Sequence, residues 1–312
     1  MAPDTTPIQF IVAPGASAAI VGTDLERTGL IRSALRFRQL ALTSGLDGRL
    51  EAGRYELRRD MNVHEILDAL VSGRNRRANL VTIPEGLRAE EVALTLEDQG
   101  VVDGGSFLDL VAHGAPNLGV PPGAPSFEGY LFPDSYEFPA GASAEAVLRA
   151  FWENFQRRTR DLTGRLAQEP GLTLSDIVVL ASLVEREAVA PAEQGRIASV
   201  FRNRLHPGLP LEADPTIQYA LLPFPSPQPV GGFWKPVLAG SDLGVVSPYN
   251  TYRNPGLPPG PICSPGLGAI EAVVSPEPGP WLYFVARGDG THLFATTLSE
   301  HLDNLVAVGR ED

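Results

Sequence analysis

Residues 173–218, TLSDIVVLASLVEREAVAPAEQGRIASVFRNRLHPGLPLEADPTIQ, decide how the chain is read. Thr173 with Asp176 three residues on is a variant of the capping box, with Asp where Glu or Gln is usual, and predicts a helix start. Ile177, Leu180, Ala181, Val184 and Ala188 recur at the spacing of one buried helical stripe. Val178, Val179 and Leu183 widen it, so the helix is expected to be covered on several sides. Glu185 and Glu187 stand near its C-terminal end. That end of the dipole disfavours a carboxylate, and apolar surroundings raise a carboxyl pKa. A glutamate kept protonated near neutral pH is what a general acid needs. Two glutamates flanking Arg186 also describe a solvated helix edge, so the pattern alone leaves both readings open. Pro191 breaks the helix. Residues 194–205 form a second one, with Ile197, Val200, Phe201 and Leu205 at core spacing. Asp214-Pro215-Thr216 then opens a short helix over 216–221.

At 312 residues the chain has room for two domains or one large one. Its 43% hydrophobic and 20% charged residues are an ordinary globular composition. A formal net charge of -12 argues against a nucleic-acid partner. The 32 glycines and 29 prolines predict a loop-rich fold, especially after residue 205. Cys263 is the single cysteine, so no disulfide can form within the chain. His64, His113, His206, His292 and His301 are scattered without metal-ligand spacing, so neither a metal nor another cofactor is expected. No stretch approaches the roughly 18 apolar residues of a membrane span. Residues 1–7 are polar and lack the apolar core of a signal peptide.

Upstream, the pattern predicts a strand at 8–12, helices at 17–28 and 33–43, a strand at 50–57 and a helix at 62–71, then a polar basic linker at 74–77. A similar order follows: a strand at 80–83, helices at 88–99 and 106–113, and a strand through 127–138. GASAAIVGTDLERTGLI from Gly15 and GLRAEEVALTLEDQGVV from Gly86 share Gly at the first and fifteenth places. They also share Val at the seventh place and Leu-Glu at the eleventh and twelfth. This reads as a duplicated strand-helix-helix-strand unit. Its layout resembles a LysM module, a small glycan-binding fold. Residues 127–138, FEGYLFPDSYEF, set five aromatics among Glu128, Asp134 and Glu137. Such a surface suits a sugar ring, and equally a buried strand with a turn at 132–134. Beyond a helix at 144–158 and the stretch quoted first, residues 223–245 read as an elaborated loop. A proline-stiffened loop over 247–262, a helix at 269–274, a hairpin over 281–296 and a closing helix at 299–308 complete the chain. The expected fold class is α+β. A LysM-like module (1–77) and a second LysM-like unit or linking region (78–140) precede a mixed α/β catalytic domain with Pro/Gly-rich loops (141–312).

VLASLVEREA, RIASVFRNRL, DPTIQYAL, SPYNTYR, GLPPGPI, WLYFVA and GTHLFATT occur in this order, with FEGYLFPDSY before them. Together they resemble the MltG/YceG-like family of endolytic murein transglycosylases. The resemblance implies non-hydrolytic cleavage of the MurNAc-β-1,4-GlcNAc bond of nascent peptidoglycan strands, leaving 1,6-anhydro-MurNAc ends and terminating elongation. It makes Glu187, the second glutamate of A-S-x-V-E-x-E, the catalytic acid/base, with Glu185 and Asp214 in support. It makes Glu128, Asp134, Thr216, Gln218, Tyr249, Asn250 and Tyr252 substrate-binding residues. It implies peptidoglycan strands and cell-wall synthases (penicillin-binding proteins) as partners. It also implies a single-pass anchor in the inner membrane, missing from this chain, with the catalytic part extracytoplasmic or periplasmic. The family often has Asn where Ser264 stands. Two further readings are a muramidase that uses water, with Glu128, Asp134 or Asp214 as base, and a non-catalytic glycan-binding scaffold for the synthases.

Overall fold

The structure, a computed structural model, describes residues 6–77, 79–138, 141–166, 171–206, 208–226 and 232–309. In order these form β1 (Pro7–Val12), α1 (Ala18–Arg27), α2 (Ala34–Thr43), β2 (Gly53–Arg58), α3 (Val63–Ser72), β3 (Arg76–Arg77), β4 (Asn79–Ile83), α4 (Ala89–Asp98), α5 (Gly104–His113), β5 (Asp134–Phe138) and α6 (Ala144–Leu166). There follow α7 (Leu174–Glu187), α8 (Gln194–Leu205), α9 (Asp214–Leu221), α10 (Leu267–Val274), β6 (Tyr283–Ala286), β7 (His292–Ala295) and α11 (Leu298–Ala307). The class is mixed α/β, many helices with small antiparallel sheets. The chain divides into two compact units. One comprises Met1–Ile83, Val92–Leu110 and Asp134–Leu148, and the other Pro84–Glu91, Val111–Pro133 and Arg149–Asp312.

In the first unit β1 pairs antiparallel with β2, Phe10 opposite Tyr55, and β4 pairs antiparallel with β5, Val81 opposite Tyr136. The strand-helix-helix-strand order therefore occurs twice. The residues shared by the two stretches have matching jobs. Val21 and Leu25 of α1, like Val92 and Leu96 of α4, form the buried stripe. Gly29 (φ 72°) and Gly100 (φ 66°) end the two helices in the left-handed region. There Leu30 N–H donates to Leu25 O and Val101 N–H to Leu96 O, the six-residue closure of a Schellman motif. The linker expected at 74–77 contains β3, which adds a third strand to β1-β2.

The second unit is built around α7. Both halves of its expected capping box form: Asp176 N–H donates to the Thr173 hydroxyl, and Thr173 N–H to the Asp176 carboxylate at 2.8 Å. Ser175 and every residue from Ile177 to Val184 are buried, and the helix packs on α8, α9 and α10. The strand expected over 127–138 is confined to β5. Residues 127–133 instead turn inward, with Tyr130 N–H donating to Phe127 O and Gly129 at φ 84°. A Cβ on Gly129 would lie 2.4 Å from Pro261 Cβ, so only glycine fits there. Phe127 and Tyr130 pack edge-on against Trp152 of α6. Those ring contacts outweigh a sheet ladder.

Candidate active site

Four segments of the second unit converge on the end of α7. The 260s loop is tied to the helix by Ser182, whose hydroxyl accepts Ile262 N–H at 3.1 Å and donates to Val179 O. Residues 86–88 are tied to the same loop, Gly86 N–H donating to Ser264 O and Ser264 N–H to Leu87 O. Glu185 accepts Gly266 N–H at 3.1 Å and so occupies the N-terminus of α10, whose cap residue supplies no side chain. Burial raises the Glu185 pKa, and the nearby Glu85 adds to the rise.

Glu187 lies on another side of α7 and is half-buried. Its pKa is pushed up to about 8, first by burial and then by the negative charge of Asp214, against a smaller opposing pull from Arg186. Asp214 opens α9 and is exposed. Tyr252 donates its hydroxyl to Asp214 at 2.6 Å, and Glu187 is close enough to help raise the Tyr252 pKa. A protonated carboxyl, a second carboxyl beside it and a phenol fixed on the latter can donate one proton and stabilise one positive charge.

Beside this triad lies a buried cationic block. Arg88 is fully buried; it pairs with Glu90 at 3.0 Å, donates to Leu222 O, and stacks 4.3 Å from the Tyr219 ring centroid. Arg186 stacks at 3.8 Å on Trp234, whose indole N–H donates to Glu91.

The model of the YceG-like family matches residues 10–307. The chain belongs to the YceG-like family. Over 95% of its length this YceG-like chain is 30% identical to a Bacillus subtilis (strain 168) protein named endolytic murein transglycosylase, spanning 83% of that protein. A Streptococcus pneumoniae (D39) protein of the same name is 28% identical over 94% of the chain, which spans only 57% of it. The solved structure of a yceG-like protein from Listeria monocytogenes is 29% identical. It superposes with a TM-score of 0.67 over 95% of this chain and 97% of that one.

The YceG-like chain brings Glu187, Asp214 and Tyr252 together, while Glu128, Thr216 and Asn250 are buried away from solvent. Glu128 is 1% exposed; both carboxylate oxygens accept Ala89 N–H at 3.2 Å, at the start of α4. Burial and the charge of Glu90 push its pKa up to about 8. It is a buried positioning group, with no surface to offer substrate. Thr216 and Asn250 are fully buried as well. The Thr216 hydroxyl meets that of Thr251 at 2.8 Å and donates to Ala213 O. The Asn250 amide donates to Leu243 O and Val245 O. These two residues hold the loops in shape from behind. Gln218 donates to Lys235 O, and Tyr249 packs on Tyr219 with ring centroids 4.8 Å apart. Asp134 belongs to the first unit, where its carboxylate accepts Ser135 N–H. Arg88, Glu90, Glu91 and Trp234 were not singled out from sequence. Besides contacts among themselves, the first three meet Leu222, Ser226 and Trp234, more than a hundred positions along the chain.

Proposed function

We propose that the chain is an endolytic murein lytic transglycosylase that cleaves MurNAc-β-1,4-GlcNAc bonds and leaves 1,6-anhydro-MurNAc ends. The observation that carries the chemistry is Glu187, a half-buried carboxyl raised to about 8 by burial and by the neighbouring Asp214. Neutral at pH 7, Glu187 donates its proton to the glycosidic oxygen as the C1–O bond breaks. The carboxylate so formed takes the proton of the sugar's own C6 hydroxyl, and the C6 oxygen closes on C1. The proton count balances without water, and the intramolecular nucleophile gains from proximity. Asp214, braced by Tyr252, is placed to stabilise the oxocarbenium-like charge at C1.

A water-using muramidase needs a second carboxylate to activate water. Of the carboxylates that could fill that role, Glu128 is buried and held neutral, while Asp214 is exposed and close enough to Glu187 to raise its pKa. Mass analysis of digested peptidoglycan strands separates the mechanisms, since an anhydro end is lighter by one water. The transglycosylase predicts anhydro-ended fragments from the parent chain and none from Glu187→Gln. Reducing ends instead would establish the hydrolase. If Glu187→Gln kept the full cellular effect, the scaffold reading would stand.

The same reading makes peptidoglycan strands the substrate and sets the activity beside the cell-wall synthases, at the outer face of the membrane. Among the described residues no helix is long and apolar enough to cross a membrane. The repeated strand-helix-helix-strand layout supports a LysM-like glycan-contacting role for the first unit.

A further inference from the structure

A cavity of about 230 Å³ in the second unit is walled by Pro125, Tyr219, Pro223, Phe224, Pro225 and Tyr249. Its walls are rigid. Tyr219 is clamped between the buried Arg88 guanidinium and the Tyr249 ring. The 260s loop closes against it so tightly that a Cβ on Gly260 would sit 2.7 Å from Pro125 Cγ and 3.0 Å from the Tyr249 hydroxyl. Among the described residues no charged side chain lines it; Ser126 and the two tyrosines are the polar ones. Its two tyrosines come from the same segments that carry Asp214 and Tyr252. Tyr219 follows Asp214 by five residues along α9, about 7.5 Å of helix, and Tyr249 stands three residues before Tyr252.

Proline and tyrosine faces fit the C–H face of a pyranose and the methyl of an acetamido group, while phenol hydroxyls fit sugar hydroxyls. The size is below the ~300 Å³ at which drug-sized pockets begin, which gives room for one ring and excludes a disaccharide. The lack of a cationic lining residue disfavours the lactyl or stem-peptide carboxylates of the strand. We propose that this cavity is a subsite for a single neutral N-acetylhexosamine ring of the glycan strand, built on the segments that carry Asp214 and Tyr252. The assignment rests on the transglycosylase reading above and adds which sugar of the strand is gripped, and by which side chains.

The test uses the full chain carrying Glu187→Gln, which cannot turn over, and chitotetraose as a neutral, peptide-free probe, with binding followed by calorimetry. Three further changes are added singly. Tyr249→Ala removes a wall, Ala112→Trp fills the cavity from its rim, and Tyr249→Phe keeps the ring while removing the hydroxyl. Saturable binding is expected, weakened about tenfold by the first two changes and less by the third, with Tm held by Tyr249→Phe and Ala112→Trp. Absence of chitotetraose binding, or binding that none of the three changes weakens, overturns the proposal. Digestion of murein by the parent chain is read separately. Cavity-dependent binding without anhydro products would sink the reaction and keep the subsite, and anhydro products without cavity-dependent binding would do the reverse.

Discussion

A carboxyl that stays neutral at pH 7 makes folding itself depend on pH. Glu187 has an ordinary pKa of 4.5 when the chain is unfolded and about 8 when folded. Between those values the native state holds a proton that the unfolded chain has released, so stability falls as pH rises through that window. Glu187→Gln removes this linkage. The variant is expected to be more stable than the parent at pH 8 by about 1 kcal/mol or more, with the difference fading below pH 4.5. Denaturant unfolding at the two pH values checks it. Because Asp214 contributes to the rise, Asp214→Asn should lower the Glu187 pKa. The alkaline limb of kcat/KM then moves to lower pH, as well as the rate falling; a rate loss with an unmoved limb would remove Asp214 from this role. Sequence periodicity could find the pair of glutamates but could not rank them. Residues two apart on a helix point about 200° from each other, so one caps α10 while the other faces Asp214, and only the family motif indicated which. Glu128 shows the opposite difficulty. Its aromatic neighbourhood was legible, but its burial depends on Arg88 and Glu90, which lie far away in sequence.

At the scale of elements, the local signals gave the helices and the long-range contacts decided the exceptions. Thr173, Asp176 and the apolar stripe of α7 sit within a few turns of one another, and the helix they predict is the one observed. The 127–133 segment has strand-like composition, yet Gly129, Pro261 and Trp152 bend it into a buried turn. Glu185 belongs to this scale because it joins two helices. Glu185→Ala leaves Gly266 N–H and the start of α10 without their anion, at an expected cost of about 1–2 kcal/mol. Glu185→Gln keeps an acceptor oxygen and should cost less. Chemical denaturation of both variants measures the difference, and equal losses would mean that capping is not what Glu185 contributes.

Across the whole molecule, the repeated layout places equivalent residues in unequal surroundings. Gly29 and Gly100 close α1 and α4 in the same left-handed conformation. A Cβ on Gly29 would meet only the tip of Arg59, at 3.6 Å, whereas on Gly100 it would meet Ile11 Cγ2 at 3.0 Å and Val12 O at 3.3 Å. Gly29→Ala should therefore cost about 1 kcal/mol, the backbone penalty alone, and Gly100→Ala clearly more. Thermal unfolding of the two variants would contradict this if they proved equal. The sequence alignment equated these glycines correctly. It could not distinguish their neighbours, because packing brings Ile11 and Val12 to Gly100 from some ninety residues upstream.

Cys263 is the chain's single thiol, fully buried, with its Sγ donating to Ser182 O in the middle of α7 and its pKa held well above the ordinary value. A disulfide reagent can reach it only when the 260s loop lifts from the helix that carries both glutamates. The labelling rate of the unmodified protein is thus a clock for opening of the catalytic loop, readable without a probe being introduced. A glycan that closes the site should slow that clock, and a ligand that binds elsewhere should leave it running at the same pace.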